Sequence, residues 1–308
     1  MLTLQVIRRE LRGDVVLLTL AHPDGIALPA FRAGAHIDLH LGADLVRPYS
    51  LCGDPQDRRH YQLGILKEGS SKGGSLAVHA LREGDAIAVS EPRNLFALDD
   101  SAAHTLLIGG GIGVTPMLAM AAELHAAGRS FALHYCARSR AHAAFAPHLD
   151  AADYAAHLHF SDEQRLNLEA VLCDVPPDTH VYVCGPARLM EAVSEQALRH
   201  GYAPQQIHQE CFSAELHTAG GAFEVVAAAS GIAVTVLENQ TIVEALGQAG
   251  LKVNVSCRQG ICGSCLTDVL EGEVDHRDCY LTDEEKADGD QILLCCSRAK
   301  GGRLVIDL

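Results

Sequence analysis

Three cysteines and two glycines fall within the segment "CRQGICGSC", which runs from Cys257 to Cys265. The spacing is C-x4-C-x2-C, and Cys295 follows after 29 intervening residues. A disulfide knot, a zinc site or an iron-sulfur cluster would each concentrate thiols in this way. The x4-then-x2 spacing is typical of plant-type [2Fe-2S] ligation, whereas zinc sites favour paired C-x2-4-C knuckles. We therefore predict a [2Fe-2S] cluster bound by Cys257, Cys262, Cys265 and Cys295.

The fourth ligand has a competitor, because the downstream segment "CCSRAK" contains Cys296 directly after Cys295. The plant-type spacing favours Cys295 as the fourth ligand. A loop around a cluster turns its backbone amides toward the sulfurs, and this requires the conformational freedom of Gly260 and Gly263. The other cysteines are predicted to lie outside the site, as a free thiol at Cys279 and as small core residues at Cys52, Cys136, Cys173 and Cys211.

The overall composition narrows the function. The chain has 308 residues and a formal net charge of -15, which argues against nucleic acid because phosphate binding needs a basic surface. No apolar run approaches the roughly 20 residues that span a bilayer, and the first residues alternate like a strand instead of a signal peptide. We therefore expect a cytoplasmic protein without a membrane partner, in which eleven cysteines are free or metal-bound.

The hydrophobic pattern changes twice along the chain and predicts three domains. Residues 1–100 show short alternating runs separated by Gly, Pro and Asp, which indicates an antiparallel β-barrel. Residues 101–222 alternate apolar strands with helices, which indicates an α/β domain with a parallel sheet. Residues 223–308 return to strands with one helix and the cysteine loop, an α+β domain of β-grasp type. A Gly-containing linker is expected at "SAELHTAGGAFEV".

Two loops of the α/β region are predicted to bind a dinucleotide. The segment "LLIGGGIGVTPMLAM" places a Gly-rich turn between a strand and a helix, and free amides at a helix N-terminus bind pyrophosphate. The candidate residues are Gly110, Gly111, Gly113 and Thr115. A second loop, Cys184-Gly185-Pro186, follows another strand and should face the same crevice. A tight βα turn without a ligand would give the first pattern as well.

The preferred nucleotide depends on acidic and basic residues near the next strand ends. Asp162 follows the strand "HLHF", where a carboxylate would bind ribose hydroxyls and repel a 2′-phosphate. This favours NADH. Arg138 and Arg140 in "CARSR" point the other way, because a guanidinium can bind a 2′-phosphate. A helix-capping Asp162 in solvent is the simpler alternative for this residue. We give Asp162 more weight than the two arginines and predict NADH.

The segment "RPYSLCGDP", with "KEGSSKGGSLAVH" after it, completes a set of motifs in a specific order. Together with "GGGIGVTPM", "CGP" and "CRQGICGSC", the chain resembles the ferredoxin reductase superfamily over its full length, and within it the phthalate dioxygenase reductase type. The resemblance implies the order flavin domain, NAD domain and [2Fe-2S] domain. It also implies FMN as the flavin, although the spacing does not exclude FAD.

The resemblance further implies individual roles at the flavin. Arg47 would contact the flavin phosphate, while Tyr49 and Ser50 would line the isoalloxazine ring. A phosphate loop would consist of Gly73, Gly74 and Ser75. Glu210 and Phe212 resemble a segment that lies beside the flavin at the nicotinamide face. Without the resemblance, Arg47 is as plausibly a surface charge and Phe212 a core residue.

The implied activity is electron transfer from NADH through FMN and the cluster to a Rieske-type oxygenase that acts on an aromatic acid. A flavin is needed because NADH gives a hydride and the cluster takes single electrons. No side-chain acid or base is required, so we predict no catalytic residue. Acidic residues near the cluster would steer a basic partner, namely Asp268, Glu271, Glu273, Asp275, Asp278, Asp283, Glu284 and Glu285.

Two alternatives remain at this stage. The acceptor of an otherwise identical enzyme would be a cytochrome, a ferric compound or a free flavin. In the second alternative, the chain is a redox carrier or sensor that binds nucleotide without oxidising it. The acidic surface also has a simpler explanation, as an ordinary solvated face.

Overall fold

The computed structural model describes residues 1–42, 45–69, 73–173, 175–176, 178–212 and 219–308. The chain forms two compact units, Met1–Glu210 and Cys211–Leu308. The central part of "KEGSSKGGS", residues 70–72, and the start of the expected linker, residues 213–218, lie outside the described residues, as does the side chain of Asp283. The three domain boundaries deduced from the sequence stay predictions.

An antiparallel sheet forms the first part of the first unit. Its strands are β1 (Leu2–Arg12), β2 (Val15–Ala21), β3 (Ala35–His40), β4 (Val46–Ser50), β5 (His60–Leu66), β6 (Ala86–Val89) and β7 (Arg93–Asn94). The strand order is β4-β3-β6-β1-β2-β5, and β7 pairs with β3. A bridge between Leu51 and Leu63 joins the two ends, so the sheet curls into the predicted barrel. Alternate side chains of β2 are buried because they face the enclosed core.

One short helix, α1 (Gly74–Ala80), interrupts this region, where the sequence shows almost no helical signal. It begins after Gly73, whose φ of 96° is left-handed. The helix has seven residues, and only Gly74, Ser75 and Val78 are buried. Two turns are too short for a 3.6-residue period to stand out from an alternating background, which is why the pattern does not reveal it.

A parallel sheet forms the second part of the first unit, as predicted. Its strands are β8 (His104–Gly110), β9 (Phe131–Ala137), β10 (Ala156–Phe160), β11 (Thr179–Cys184) and β12 (Ile207–Glu210). The order β10-β9-β8-β11-β12 reverses direction at β8. In such a sheet the ligand crevice lies beyond the carboxyl ends of the strands at the reversal, here β8 and β11.

Four helices accompany this sheet in the described residues: α2 (Val114–Ala126), α3 (Ala146–Asp150), α4 (Leu168–Cys173) and α5 (Ala187–Arg199). Helix α2 begins at Val114, directly after the Gly-rich turn. Nine of its residues are buried, so it is apolar on almost every side and packs between other elements. The Gly-rich turn is therefore held between strand β8 of the sheet and the buried helix α2.

The barrel and the parallel sheet are joined through Glu123 of α2. Its Oε1 atom accepts a hydrogen bond from the Arg32 guanidinium at 2.6 Å, and its Oε2 atom accepts one from the Ala33 amide at 2.7 Å. The Ala33 residue is 1% exposed, so its amide has little access to water. Tyr182 adds a second link, because its hydroxyl accepts from the Asp99 amide at 2.7 Å. The predicted flavin and dinucleotide residues of this unit therefore share one packed body.

The second unit is the predicted α+β domain. Its strands are β13 (Phe223–Ala227), β14 (Ile232–Val236), β15 (Leu266–Glu271), β16 (Val274–Asp275), β17 (Gln291–Leu293), β18 (Arg298–Ala299) and β19 (Arg303–Ile306), with helices α6 (Ile242–Gln248) and α7 (Asp283–Asp288). The main sheet has the order β14-β13-β19-β15-β17. Helix α6 starts with a capping box, since Thr241 Oγ1 accepts from the Glu244 amide and Glu244 accepts from the Thr241 amide.

The cysteines outside the cluster loop are less uniform than expected. Cys52 is buried, as predicted, and Cys136 is half-buried. The prediction of a core position is wrong for Cys173, which is exposed at the end of α4, and Cys211 is only half-buried. Cys173 is the last residue of α4, and Cys211 directly follows β12. At the end of a short element, the periodicity that predicts whether a side chain is buried or exposed is lost. Among the described residues, no helix is long and apolar enough to cross a membrane.

We expect Glu123→Ala to destabilise the first unit by about 1–3 kcal/mol, because it leaves the buried Ala33 amide without an acceptor. The measurement is chemical denaturation followed by the fluorescence of released flavin. Glu195→Ala is the control, since Glu195 pairs with Arg199 on the surface with 67% of its side chain exposed. It should cost about 0.5 kcal/mol or less. Equal effects of the two changes would contradict the role of Glu123.

Candidate cofactor sites

The four predicted cluster ligands are all buried in the second unit. Their exposed fractions are 2% for Cys257, 5% for Cys262, 4% for Cys265 and 3% for Cys295. Three backbone amides donate to their sulfurs: Cys257 to Cys262 at 3.4 Å, Gln259 to Cys257 at 3.3 Å and Gly260 to Cys295 at 3.3 Å. Amide donors of this kind stabilise negative charge on thiolate sulfur and tune the potential of a cluster.

The loop reaches this geometry through left-handed backbone conformations. Gly260 and Gly263 have φ values of 73° and 66°, and Arg258 joins them at 55°. A Cβ on Gly260 would lie 2.5 Å from the Cys296 sulfur, and one on Gly263 would lie 2.5 Å from the Tyr280 ring. Glycine is therefore required at both positions for two reasons: the left-handed backbone conformation and the close approach of the Cys296 sulfur or the Tyr280 ring. The left-handed Arg258 has no signal in the sequence.

The two candidates for the fourth ligand differ in their surroundings. The Cys295 sulfur accepts from the Gly260 amide of the loop. The Cys296 sulfur instead lies 3.7 Å from the Leu293 carbonyl oxygen and 3.7 Å from the Ser297 hydroxyl. Cys296 is thus hydrogen-bonded within its own segment, which supports Cys295 as the ligand.

The loop fits a binuclear cluster. It offers four buried thiols on one loop and the adjoining segment, and at least three amides directed at sulfur. Across the described parts of the chain, no three His, Cys, Asp or Glu side chains form a group that could hold a single metal ion. A [2Fe-2S] cluster divides four thiolates between two irons, so it does not depend on such a group.

Asp278 lies inside the second unit and not on its surface. The prediction that it belongs to the acidic surface is wrong, because only 6% of it is exposed. Its carboxylate accepts hydrogen bonds from the Tyr280 and Leu281 amides at 3.2 and 2.9 Å and from the Ser297 hydroxyl at 3.3 Å. Three donors offset the cost of burying the charge. A sequence window shows only its polar neighbours, which is why it looked exposed.

The two predicted dinucleotide loops meet at the ends of β8 and β11. A Cβ on Gly113 would lie 2.4 Å from the carbonyl oxygen of Cys184, and one on Gly185 would lie 2.9 Å from Gly110 Cα. A Cβ on Gly110 would lie 2.9 Å from the ring of Pro186. The structure therefore brings together these five residues by backbone contact. Gly111 has a φ of 56°, and a Cβ there would meet no atom within 4 Å, so its backbone stays open to a ligand.

Thr115 and Asp162 take different places from the glycines. Thr115 is buried, and its hydroxyl donates to the Ile112 carbonyl at 2.9 Å, so it stabilises the turn itself. Asp162 is exposed, and its amide donates to the Arg138 carbonyl oxygen at 3.2 Å. The two residues that would favour different nucleotides are therefore adjacent. Arg140 forms an ion pair with Asp150, which offsets its charge.

The predicted flavin residues gather around Arg47 on β4. A Cβ on Gly74 would lie 2.7 Å from Arg47 Cγ, so only glycine lets the arginine side chain lie against the start of α1. The Arg47 guanidinium donates to the Val46 carbonyl at 2.7 Å. Ser75 is buried, and its hydroxyl accepts from the Glu68 amide at 3.3 Å. This cradle of glycine backbone and guanidinium fits an anionic group.

Ser50 of the barrel contacts Glu210 of the parallel sheet, while the neighbouring Tyr49 packs against the barrel core. The Ser50 hydroxyl donates to Glu210 Oε2 at 3.4 Å, which connects β4 with the end of β12. Burial raises the pKa of Glu210 to about 8, and it raises the pKa of Tyr49 to about 12. Cys184 pairs with Glu210 across the neighbouring strands, and burial followed by this carboxyl raises the pKa of its thiol. Phe212 is half-buried and belongs to the second unit, so its predicted role at the flavin stays a prediction.

Comparison with known proteins matches these regions to described families. The 2Fe-2S iron-sulfur cluster binding domain family matches residues 226–300. The family described as the N-terminal domain of the dimethylamine monooxygenase subunit DmmA-like proteins matches residues 87–207. The first match includes all four predicted ligands, and the second includes both dinucleotide loops.

Individual proteins match over almost the whole chain. A vanillate O-demethylase oxidoreductase of Pseudomonas sp. (strain HR199 / DSM 7063) is 46% identical over 97% of this chain and 97% of its own length. The structure of a phthalate dioxygenase reductase, described as modular for electron transfer from pyridine nucleotides to [2Fe-2S], is 36% identical with a TM-score of 0.78 and covers 100% of this chain and 98% of its own. An intact type IV self-sufficient cytochrome P450 monooxygenase is 40% identical with a TM-score of 0.86 over 99% of this chain, which spans 41% of the P450 chain.

The fold and the sites define an iron-sulfur flavoprotein oxidoreductase that uses NADH, FMN and a [2Fe-2S] cluster. Because relatives match from end to end at this identity, the chain belongs to the phthalate dioxygenase reductase family. The predicted fold class, cofactors and role as the reductase component of an oxygenase system are confirmed.

We expect Cys295→Ser to lose the cluster and Cys296→Ser to keep it. Both sulfurs lie near Gly260, but only the Cys295 sulfur accepts its amide hydrogen, whereas the Cys296 sulfur is hydrogen-bonded to Leu293 and Ser297. Iron and sulfide content, visible absorbance and the electron paramagnetic resonance signal of the reduced protein measure the outcome. Retention of a normal cluster in Cys295→Ser would assign the fourth ligand to Cys296.

Glu210 should make stability depend on pH. Its pKa is raised from 4.5 to about 8, so between these values the folded protein holds a proton that the unfolded chain has released. The free energy of unfolding of the wild type therefore falls as the pH rises through this window. Glu210→Gln does not titrate, so its stability relative to the wild type should increase from pH 5 to pH 8. Denaturation curves that stay parallel, as expected for the control Glu195→Gln, would refute the raised pKa.

Proposed function

We propose that this reductase passes electrons from NADH to a Rieske-type terminal oxygenase that hydroxylates or demethylates an aromatic acid, and that it does so in the cytoplasm. The observation that carries the proposal is the buried cysteine loop in the same chain as the dinucleotide crevice and the Arg47 cradle. End-to-end similarity to a vanillate O-demethylase oxidoreductase supports this class of acceptor. When bound, FMN accepts a hydride and releases electrons singly, which matches NADH to a one-electron cluster.

The dinucleotide site binds NADH mainly through backbone amide groups. The amides of Gly110, Gly111 and Gly113, in the turn that leads into α2, would bind the pyrophosphate. Asp162 binds the ribose hydroxyls and disfavours a 2′-phosphate. Arg140 does not oppose this preference, since it is already paired with Asp150. The Cys184-Gly185-Pro186 loop forms the wall beside the nicotinamide.

The flavin site positions FMN by its phosphate and shields the ring. Arg47 binds the phosphate together with Gly73, Gly74 and Ser75, in a cradle that Gly74 keeps open. Tyr49 and Ser50 line the ring on β4.

Glu210 holds a proton near the flavin-lining residue Ser50. Its pKa of about 8 means that the carboxyl is mainly protonated at neutral pH. A neutral carboxyl beside Ser50 and Cys184 places no negative charge next to the entering hydride. Since the hydride carries its own electron pair, none of the three side chains acts as a catalytic acid or base.

The acceptor docks on the acidic face near the cluster. In the second unit, Glu271, Glu273 and Glu284 are exposed, and Asp268 is exposed while accepting from Gln291. Asp275 is engaged by Arg277 at 2.5 and 2.9 Å, and Glu285 caps α7 through Thr282. Glu271 pairs with Arg303 at 3.7 Å. The charges available for steering are therefore mainly Glu273 and Glu284. A basic patch on the oxygenase would complement them.

The test uses the purified reductase, NADH and the oxygenase component of a vanillate demethylase. We expect Glu273→Lys and Glu284→Lys together to slow electron delivery roughly tenfold at low salt, with a smaller effect at high salt. Flavin reduction by NADH should not change, because these residues are outside the first unit. Glu195→Lys, at an exposed position of α5, is the matched control.

A haem monooxygenase is the second candidate acceptor, because the chain is 40% identical to part of a self-sufficient P450 protein. A separate P450 should therefore be offered in parallel under the same conditions. Coupled product formation only with the P450 would replace the proposed acceptor. If neither acceptor supports NADH oxidation and the lysine substitutions have no effect, the partner class and the docking face are both rejected.

A further inference from the structure

Three histidines lie on one face of the parallel sheet, where its edge strand β10 pairs with β9. His157 lies directly opposite His134, and His159 follows two residues later on the same face of β10. The ring of His134 is stacked on both, with centroid distances of 4.9 Å to His157 and 5.2 Å to His159. These edge histidines are separate from the cofactor residues described above.

The contact between two of the edge histidines depends on their protonation. His134 is 7% exposed, and its Nδ1 atom lies 3.0 Å from His159 Nε2. Such a hydrogen bond needs one ring nitrogen that carries a hydrogen and one that does not. When both rings are protonated, every ring nitrogen carries a hydrogen and two positive charges face each other. The hydrogen bond between β9 and β10 is then replaced by repulsion.

The surroundings of the edge histidines favour the neutral form. Burial, and then His157 and His159, lower the pKa of His134 to about 4. Burial, and then His157, lower the pKa of His159. Cys136 lies opposite His159, and burial raises the pKa of its thiol to about 11, so it stays neutral in acid. The charge of protonated edge histidines would therefore find no compensation from one another or from this thiol.

Two helices pack against these strands, α2 against β9 and α3 against β10. Their titratable side chains are already engaged by other groups: Glu123 by Arg32, His125 by the Tyr154 ring, His148 by Arg12 and Asp150 by Arg140. Burial, and then Arg12, lower the pKa of His148, so protonation of this residue opposes folding in the same direction. The helices thus do not reverse the effect of acid on this edge.

We propose that His134, His157 and His159 form an acid-sensitive support of the sheet edge, in which neutral imidazoles hold β10 against β9 and protonation below about pH 6 opens this edge. The unfolded or opened chain binds these protons more readily than the closed edge. Stability of the closed edge is therefore lost as the pH falls from the ordinary histidine pKa toward that of buried His134.

The support extends to the residue predicted to select the nucleotide. Beyond β10, the Ser161 amide donates to the Ala137 carbonyl at 3.0 Å, and the Asp162 amide donates to the Arg138 carbonyl at 3.2 Å. Asp162 is thus held beside the end of β9 by a continuation of the same strand pairing. Opening of the edge would remove it from that position, a consequence for NADH that rests on the proposed function.

The experiment measures amide hydrogen exchange of the holoenzyme by mass spectrometry at pH 7 and pH 5, with each rate corrected for that of an unstructured peptide. We expect the opening of β10, followed in peptides that cover residues 156–160, to rise about 20-fold at pH 5. The factor follows because the pKa of His134 is 6.5 when the edge is open and about 4 when it is closed. Central strand β8 should respond far less.

Two conservative changes separate titration from packing. His134→Asn keeps an acceptor for His159, since its Oδ1 replaces Nδ1, and His159→Gln keeps a donor for His134. Neither new side chain titrates, so the double variant should reduce the rise to about threefold or less. His208→Gln is the matched control, because it alters the His180–His208 pair, with 2.9 Å between Nδ1 and Nε2, on the opposite edge strand β12. It should keep the full response of β10.

Unchanged opening of β10 between the two pH values, equal opening of β8, or a full rise in the double variant would each overturn the proposal. ADP-ribose tests the connection to the dinucleotide separately. At pH 7 and about 20 times its Kd, it should slow the opening of β10 about 20-fold if Asp162 belongs to the site. Opening that ADP-ribose does not slow would reject the proposed role of Asp162, while the acid response of β10 still decides the role of the edge histidines.

Discussion

At Gly113 the dinucleotide loop passes so close to the end of β11 that a Cβ would lie 2.4 Å from the Cys184 carbonyl oxygen. The same kind of approach recurs where Gly74 lies under Arg47 and where Gly260 lies against the Cys296 sulfur. A Cβ essentially never comes this near another heavy atom, so each contact exists only because the residue is glycine. At the dinucleotide and cluster sites the chain thus presents backbone amides, whose positions are set by the surrounding strands and helices, and not long flexible side chains.

The two compact units separate two tasks. The first unit joins its barrel and parallel sheet through Glu123, which accepts hydrogen bonds from Arg32 and from the buried Ala33 amide. This connection matters because hydride transfer requires donor and acceptor atoms at near van der Waals distance, and small displacements cost rate steeply. The second unit holds the cysteine loop on its own core, supported by Asp278 and its three donors. Single electrons, unlike a hydride, do not require such contact.

The two units also differ in how their acidic side chains are placed. Within the first unit, burial keeps Glu210 protonated near neutral pH, so no fixed negative charge lies beside the predicted nicotinamide position. In the second unit the acidic side chains that remain unengaged, such as Glu273 and Glu284, are exposed. The net charge of -15 is therefore informative only after the buried and paired carboxylates have been set aside. Asp278 and Asp275 show how misleading a simple count of acidic residues in a segment is.

The residue patterns alone predicted the [2Fe-2S] cluster, the dinucleotide loops, the order of the modules and the class of each sheet, whereas FMN and the flavin contacts came from the resemblance to a known family. This was possible because cluster ligands, phosphate-binding glycines and strand or helix periods are local patterns with fixed spacing. The short helix α1, the left-handed Arg258, the buried Asp278 and the exposed Cys173 were decided only by the tertiary structure. Each of these depends on which distant segment packs against the residue, and burial by a distant segment leaves no periodic trace in the neighbouring letters.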